Sequence, residues 1–196
     1  MLIGVGYFIG SIPVGVLVGR AFGFDPRVVG SGNVGMTNVA RAGGRAAAVI
    51  TFVGDVLKGL IPVVLARSAG FPPAGLAAVG FAAFLGSIAS IFLRFTGGRG
   101  VATSLGIWLA LAPIPVAIAG GVFVALIAVS RIVSLASMGA AVALIPAAIA
   151  WGCPRPYVVL ALAISSLVVL RHRANLGRLM AGEEPRIGER KSKSSP

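Results

Sequence analysis

The residues of this chain that are best suited to chemistry lie in three polar stretches with few acids. The first runs from Gly30 to Arg45 and contains five glycines, two asparagines, a serine, a threonine and two arginines, without a single carboxylate. Exposed amides, hydroxyls and guanidinium groups bind anions well when no carboxylate competes for them. The stretch therefore predicts an anion-binding loop, whose candidate ligands are Ser31, Asn33, Thr37, Asn38 and Arg41.

The second stretch places Arg99 among Gly97, Gly98 and Gly100. Glycines let successive backbone N–H groups converge on one oxyanion, and the arginine adds a charged fork at the centre. A plain glycine turn between two helices would account for the same composition. A second basic, acid-free loop in one chain favours the binding interpretation.

The third stretch carries the only histidine, His172, together with Asn175 and Arg178. Helical spacing predicts that Arg171, Asn175 and Arg178 lie near one face of a helix, with His172 beside them. The flanking Arg171 and Arg173 favour a neutral imidazole, which is able to accept a proton. The alternative is a hydrogen bond from His172 that only fixes the local chain.

The three stretches share an expected affinity for phosphate. If they meet in the folded protein, they could bind more than one phosphate. Other chemistries fit poorly: five acids provide no cluster for catalytic metals, so we predict neither a metal nor a cofactor. Position 177 is Gly177, which removes the His-x₄-Asp dyad of common lipid acyltransferases, and the GK[ST] ending of a P-loop is missing. The single cysteine, Cys153, allows no intrachain disulfide.

The composition of the chain indicates the class of protein that holds these three stretches in place. The 196 residues are 57% hydrophobic and only 11% charged, with a mean hydropathy of +0.99, which is typical of an all-α integral membrane protein. The net charge of +12 then marks cytoplasmic loops and contact with membrane lipids. No basic region stands apart from the apolar segments, so we do not predict a nucleic-acid partner.

We predict about seven transmembrane helices, with the N-terminus outside and the C-terminus in the cytoplasm. A first helix that is retained rather than cleaved is expected, because no charge precedes Arg20. The uncharged run 101–130 is read as two short crossings bent at Pro113 to Pro115; a single crossing would put Arg131 outside. The expected spans are Met1 to Ala21, Ala46 to Arg67, Ala74 to Phe92, two within 101–130, Ile132 to Trp151 and Pro156 to Leu170.

Ionisable residues interrupt the second span. Asp55 and Lys58 are three residues apart and share one helix face. Charged groups inside a membrane are costly and usually face a polar cavity or each other. Two interpretations stay open, a structural ion pair and one wall of the site.

The polar loop before this span is expected to run from Phe22 to Arg45, on the cytoplasmic side because of its arginines. Residues 1–188 are predicted to form one membrane-embedded domain. Residues 189–196 read as a disordered basic tail.

Four motifs resemble the PlsY family, the bacterial acyl-phosphate:glycerol-3-phosphate acyltransferases. They follow one another in the family's order over nearly the whole chain. They are SGNVGMTNVAR at Ser31 to Arg41, Asp55-x-x-Lys58-Gly59, FTGGRGVAT at Phe95 to Thr103, and RHRANLGRLMAGEEPRIG at Arg171 to Gly188.

The resemblance implies a seven-helix, multi-pass protein of the bacterial inner membrane with a cytoplasmic active site. Such a protein moves an acyl group from acyl phosphate to glycerol 3-phosphate, without metal or acyl-CoA, and makes 1-acyl-glycerol 3-phosphate (lysophosphatidic acid) in the first step of phospholipid synthesis. An enzyme that supplies acyl phosphate becomes a candidate partner.

The resemblance also assigns roles by position. It implies catalytic roles for Ser31, Arg41, His172 and Asn175. Substrate binding is implied for Asn33, Thr37, Asn38, Gly97, Gly98, Arg99, Gly100 and Arg178. Structural roles are expected for Asp55, Lys58 and Glu184.

Five positions in three motifs depart from the family pattern. The motif that usually opens Gly-His-x-Phe-Pro reads Gly86-Ser87-Ile88-Ala89-Ser90, while Met36 replaces alanine and Arg99 replaces lysine. These changes keep the phosphate ligands but remodel one wall. Two rival hypotheses therefore stay open: a divergent homologue that binds phosphates without turnover, and a transporter of an anionic lipid or phosphate ester.

Overall fold

A computed structural model describes residues 1–188, which form an all-helical protein. The predicted disordered tail at 189–196 lies outside the described residues. The helices are α1 Leu2–Ser11, α2 Val14–Ala21, α3 Met36–Ser68, α4 Pro73–Ile88, α5 Val101–Leu111, α6 Pro113–Ser130, α7 Val133–Ala150, α8 Arg155–Arg171 and α9 Arg173–Met180.

The first predicted span is broken into α1 and α2 at Pro13, which has no N–H to continue the helical ladder. The break frees two carbonyl groups within this candidate span, and such groups need partners in an apolar environment. Ser90 Oγ donates to the Ser11 carbonyl, and Lys58 Nζ donates to the Ile12 carbonyl at 3.2 Å. Side chains of two other segments thus stabilise the broken helix.

Helix α3 corrects the predicted extent of the polar loop. The chain becomes helical at Met36, inside the stretch that we expected to remain a loop as far as Arg45. Only Gly44, at φ 77° and ψ −171°, interrupts the helix, so one short helical piece precedes the long span. The anion loop therefore consists of an irregular segment followed by a helix start, whose N-terminal N–H groups lie beside it.

Helix α4 ends at Ile88, four residues earlier than the predicted span. The chain turns there through a short 3₁₀ segment, Ile91–Leu93, and through Arg94 and Phe95, which adopt positive φ angles of 54° and 60°. This compact turn leads directly into the glycine stretch.

The uncharged run 101–130 forms two helices, α5 and α6, that are separated at Ala112. The prediction of a break beside Pro113 is confirmed, because the proline occupies the first turn of α6, where no N–H is needed. Arg67 donates a hydrogen bond to the Leu111 carbonyl at 3.4 Å, which satisfies one acceptor at the end of α5.

The third polar stretch is bent. Helices α8 and α9 meet at His172 with an angle of 57° between them. Arg171 therefore ends α8, and the predicted single helix face containing Arg171, Asn175 and Arg178 is wrong. Only Asn175 and Arg178 belong to α9.

Length and hydropathy within the described residues fit an integral membrane protein. Four segments are long and apolar enough to cross a bilayer: α1 with α2, α3, α6 and α7. The bent pair α8 and α9 is a fifth candidate, while α4 and α5 are shorter apolar helices. A buried core centred on Trp108, Phe84, Ile107 and Ile164 joins the helices.

Glycines allow the central helices α3 and α5 to approach closely. A Cβ atom built on Gly106 would collide with the Val56 carbonyl, and one built on Gly59 would collide with the Thr103 carbonyl. Small residues at such positions are a common device for packing membrane helices. This contact brings the start of α5 close to the middle of α3.

We expect Gly106→Ala to destabilise the protein by about 1–3 kcal/mol, because the backbone of Val56 has no room to move. Gly121→Ala is the matched control, since nothing lies within 4 Å of its Cβ position. Thermal unfolding in detergent measures both. Equal melting temperatures for the two variants would contradict the packing described here.

Candidate active site

All three polar stretches open onto one cavity of about 1050 Å³. Helix α3, the turn before α5, helix α9 and the segment after it form its walls. Every predicted site residue except Gly97 lines the cavity: Ser31, Asn33, Thr37, Asn38, Arg41, Asp55, Lys58, Gly98, Arg99, Gly100, His172, Asn175, Arg178 and Glu184.

In the first stretch, Asn38 determines the shape of the loop. It is only 2% exposed, and its Nδ2 donates to the Pro26 carbonyl at 2.7 Å and to the Val29 carbonyl at 3.0 Å. Its Oδ1 accepts the backbone N–H of Ser31 at 2.9 Å. Asn38 therefore fixes the position of Ser31, a role that composition could not distinguish from direct substrate binding.

The neighbouring side chains remain available to a ligand to different degrees. Asn33 Oδ1 accepts the backbone N–H of Gly35 at 2.8 Å, at the start of α3. Ser31 and Arg41 are exposed at the cavity, and Thr37 is half-buried there. The hydroxyl of Ser31 in the loop, and the side chains of Thr37 and Arg41 at the start of α3, thus line the same cavity.

The glycine turn is held tightly against the end of α4. The N–H of Gly98 donates to the Ser87 carbonyl at 3.0 Å, and a Cβ on Gly97 would lie 2.6 Å from the same oxygen. Gly97 therefore shapes the turn from behind instead of facing the cavity. Gly100 adopts a φ of 76°, a left-handed conformation that favours glycine, and leads into α5.

Arg99 lines the cavity from the glycine turn and lies close to other arginines. Burial lowers the pKa of its guanidinium, and the positive charges of Arg178, Arg171 and Arg41 lower it further, against the opposing effect of Glu184. Arginine stays charged at such a site. Several cations from three segments therefore face one volume, which favours a bound anion.

His172 lies at the bend between α8 and α9 and is 1% exposed. Its Nδ1 lies 2.8 Å from the Val168 carbonyl, so this nitrogen carries the proton in the neutral ring and Nε2 is left as an acceptor. Burial lowers the pKa of His172 to about 4, and the charge of Arg99 acts in the same direction. The ring is neutral near pH 7.

Glu184 connects three residues of the third wall. Its carboxylate accepts hydrogen bonds from Asn175 Nδ2, from Ser134 Oγ at 2.7 Å and from Arg178 Nε at 2.7 Å. Burial raises the pKa of this carboxyl, but the bonds from Asn175, Ser134 and Arg178 outweigh that effect and lower it overall. The Oδ1 atom of Asn175 is left buried without a partner within the described chain.

Sequence reasoning missed the contribution of α7 and of the segment after α9. Ser134 anchors Glu184, Ser137 also lines the cavity, and the Ile187 N–H donates to the Arg131 carbonyl at 2.8 Å. Serines in an apolar helix carried no distinctive signal. The carboxylate at Glu184 was visible in the sequence, but its partner on α7 was not.

Asp55 and Lys58 satisfy both interpretations left open by their spacing. Their charged atoms are 2.7 Å apart, their side chains are 14% and 10% exposed, and both residues line the cavity. Lys58 also donates to the Ile12 carbonyl at the break of the first span. The pair is a structural ion pair that forms part of the wall.

We expect Lys58→Ala to destabilise the protein by about 3–5 kcal/mol, because it leaves the Asp55 carboxylate buried without its partner. The double variant Asp55→Asn/Lys58→Met removes both charges and should be more stable than Lys58→Ala. Chemical unfolding of the three proteins in detergent measures this. A double variant less stable than the single one would contradict the pairing.

The sequence matches a family model described as glycerol-3-phosphate acyltransferase over residues 1–182. A glycerol-3-phosphate acyltransferase of Geobacter sulfurreducens is 47% identical to it, covering 95% of this chain and 96% of that protein. Another, from Rubrobacter xylanophilus, is 48% identical, with 97% and 96% of the two chains covered. The chain belongs to the glycerol-3-phosphate acyltransferase family.

Solved structures of this acyltransferase family agree with the fold. A crystal structure of PlsY (YgiH), an integral membrane glycerol 3-phosphate acyltransferase in its glycerol 3-phosphate form, superposes with a TM-score of 0.92. The two chains are 39% identical, with 95% of this chain and 94% of that chain covered. The crystal structure of the lysophosphatidic acid form superposes with a TM-score of 0.90, at 38% sequence identity. The protein is thus an all-helical integral membrane glycerol-3-phosphate acyltransferase.

The wall that departs from the family pattern has its hydroxyls occupied. Ser87 Oγ donates to the Phe84 carbonyl at 2.6 Å, and Ser90 Oγ donates to the Ser11 carbonyl. Both serines are buried and line the cavity of this acyltransferase. Their hydroxyls therefore stabilise the end of α4 and the broken first helix.

Within the described part of the chain, no group of three or more histidine, cysteine or acidic residues is arranged to hold a metal ion. The acids that border the cavity include Asp55 and Glu184, and both are already bonded to cations. The prediction that this acyltransferase uses no metal stays a prediction.

Proposed function

We propose that this acyltransferase uses acyl phosphate as its donor and glycerol 3-phosphate as its acceptor, and releases 1-acyl-glycerol 3-phosphate and inorganic phosphate. The observation that carries the proposal is the convergence of Arg41, Arg99 and Arg178 from three segments on one cavity. Two phosphorylated substrates bring several negative charges into that volume. The related PlsY structures in glycerol 3-phosphate and lysophosphatidic acid forms support the acceptor and the product.

The reaction needs little covalent help from the protein. The primary hydroxyl oxygen of glycerol 3-phosphate attacks the acyl carbonyl carbon, and a new ester C–O bond forms. The C–O bond to phosphate then breaks, and the leaving phosphate takes the electron pair. The hydroxyl proton ends on phosphate. Holding the two anions together and orienting the hydroxyl supplies most of the catalysis.

We assign the residues of the cavity to these tasks. Ser31 and Arg41 bind a substrate phosphate, supported by Asn33 and Thr37. Arg99, with the backbone N–H groups of Arg99 and Gly100, and Arg178 hold the other phosphate or the developing oxyanion. Asn38, Asp55, Lys58 and Glu184 keep the walls in place.

His172 and Asn175 act on the attacking hydroxyl. The Nε2 atom of a neutral, buried His172 accepts the hydrogen bond of a hydroxyl, and Asn175 Oδ1 is a second acceptor, which residues 1–188 leave without a partner. Both groups orient the nucleophile; His172, whose pKa is lowered to about 4, is only a weak base near pH 7. The final proton acceptor is the substrate phosphate.

The membrane arrangement follows the same proposal. We place seven segments across the bilayer: α1 with α2, α3, α4, α5, α6, α7 and α8. The N-terminus is then outside and the C-terminus inside, which puts the arginine-rich cavity at the cytoplasmic face of a bacterial inner membrane. Residues 1–188 act as one domain, and an enzyme that supplies acyl phosphate is its metabolic partner.

The test uses the purified full chain in detergent with palmitoyl phosphate, glycerol 3-phosphate and EDTA. We expect lysophosphatidate and phosphate in equal amounts, and no product when palmitoyl-CoA replaces palmitoyl phosphate. Arg41→Ala should abolish the product. A protein that binds both substrates without turnover, or that works only with the CoA ester, would contradict the proposal. Flux of glycerol 3-phosphate into proteoliposomes would instead favour a transporter.

A further inference from the structure

Arg171 is a cation close to the cavity to which no catalytic or binding role has been assigned above. It is the last residue of α8, and its guanidinium contacts the back of the glycine turn. Its Nη2 donates to the Gly97 carbonyl at 2.8 Å and to the Gly98 carbonyl at 3.1 Å, and its Nε donates to the Gly98 carbonyl at 3.2 Å. Arg171 is not one of the described residues that line the cavity.

These bonds fix which way the peptide groups of the turn point. The C=O and N–H of one peptide unit point in opposite directions, so the Gly98 carbonyl bound to Arg171 directs the N–H of Arg99 away from Arg171. The Gly97 carbonyl is bound in the same way, and the Gly98 N–H opposite to it donates to the Ser87 carbonyl at 3.0 Å. The turn is thus clamped between the end of α8 and the end of α4.

The orientation of these peptide groups affects how well the turn can bind an anion. Carbonyl oxygens facing the cavity would repel a phosphate, whereas N–H groups attract it. Within residues 1–188, the N–H groups of Arg99 and Gly100 make no hydrogen bond to the protein. Holding the Gly98 carbonyl behind the turn therefore leaves the Arg99 N–H as a donor on the side that faces the ligand.

Arg171 also joins two walls of the site. It is bonded to the turn that carries Arg99 and is followed directly by His172, whose Nδ1 lies against the Val168 carbonyl of the same helix. A displacement of the helix end would move the histidine and the turn together. A fork of donors that spans two adjacent carbonyls is a property of arginine and not of lysine.

We propose that Arg171 is a positioning residue that keeps the glycine turn in its phosphate-binding conformation. The inference rests on the proposed function of the turn, because it assumes that a substrate phosphate binds there. Arg171 acts through the peptide groups of Gly97 and Gly98 and does not touch the substrate. Its contribution is to orientation.

The experiment compares wild type with Arg171→Ala, Arg171→Lys and Arg173→Ala in the full chain. Arg173 is the matched control, because it is an exposed arginine two residues away. We expect Arg171→Ala to raise the KM of the substrate bound at the turn, and the inhibition constant of inorganic phosphate, by about tenfold or more. Arg171→Lys should recover part of this loss, and Arg173→Ala should stay close to wild type.

Hydrogen exchange provides a readout that does not depend on turnover. We expect the Gly98 amide to exchange faster in Arg171→Ala than in Arg173→Ala, with helix α5 unchanged. A loss of folded protein with unchanged KM, phosphate inhibition and Gly98 exchange would overturn the positioning role. If wild type makes no lysophosphatidate, the proposed function fails, while hydrogen exchange and phosphate binding still decide the role of Arg171.

Discussion

Replacing Arg99 with alanine is expected to lower kcat/KM by roughly 10²–10³-fold, as for the loss of one preorganised oxyanion donor. Arg99 lines the cavity, and burial followed by the charges of Arg178, Arg171 and Arg41 lowers its pKa, so it lies close to other cations. The other residues of the turn, Gly97, Gly98 and Gly100, have no side chains. No neighbouring side chain of the turn can therefore replace the guanidinium. Turnover of palmitoyl phosphate and glycerol 3-phosphate measures the effect.

Two variants make this prediction specific. Arg99→Lys keeps the charge but loses the planar fork, so we expect it to retain activity within about tenfold of wild type. Arg94→Ala removes an exposed arginine of the preceding turn and should leave activity unchanged. Equal activity of Arg99→Ala and Arg94→Ala would show that Arg99 does not contact substrate.

Replacing Glu184 with alanine is expected to remove most of the activity and also to lower the melting temperature. The substitution leaves Asn175, Ser134 and Arg178 without their common acceptor. Loss of a buried charge-assisted network of this kind is among the few single changes with large effects. Thermal unfolding and turnover of the same preparations separate the two consequences.

Glu183→Gln is the control for Glu184→Gln, because Glu183 is exposed and adjacent in sequence. The pKa of Glu184 is lowered in the folded protein, so its carboxylate contributes stability that is present above the ordinary value of 4.5 and is lost as pH falls through the folded value. The difference in the free energy of unfolding between wild type and Glu184→Gln should therefore be largest near pH 7 and decrease as the pH is lowered. A pH-independent difference would contradict the network.

The sequence was most informative where local chemistry determines the outcome. The break beside Pro113 and the turn at Gly97 to Gly100 follow from residues that restrict or free the backbone. The three basic stretches, which contain few acids, likewise predicted one anion site. The start of α3 at Met36 was missed, because the glycines of that stretch concealed a helix start held by Asn33 and Asn38.

Tertiary geometry accounts for the remaining differences. Helical spacing placed Arg171 with Asn175 and Arg178, yet the bend of 57° at His172 turns Arg171 toward the carbonyls behind the glycine turn. Nothing in the spacing of the residues indicates that bend. Ser134 lies 50 residues from Glu184, so their hydrogen bond depends on how α7 packs.

The central claim is that one cavity binds two phosphates at the same time. The most direct measurement is a crystal structure of the full chain with glycerol 3-phosphate and a non-hydrolysable palmitoyl phosphonate. We expect both phosphate groups in the cavity, in contact with Arg41, Arg99 and Arg178, and the glycerol hydroxyl beside His172 and Asn175. Two phosphorus sites in separate pockets, or a glycerol hydroxyl directed away from His172, would contradict it.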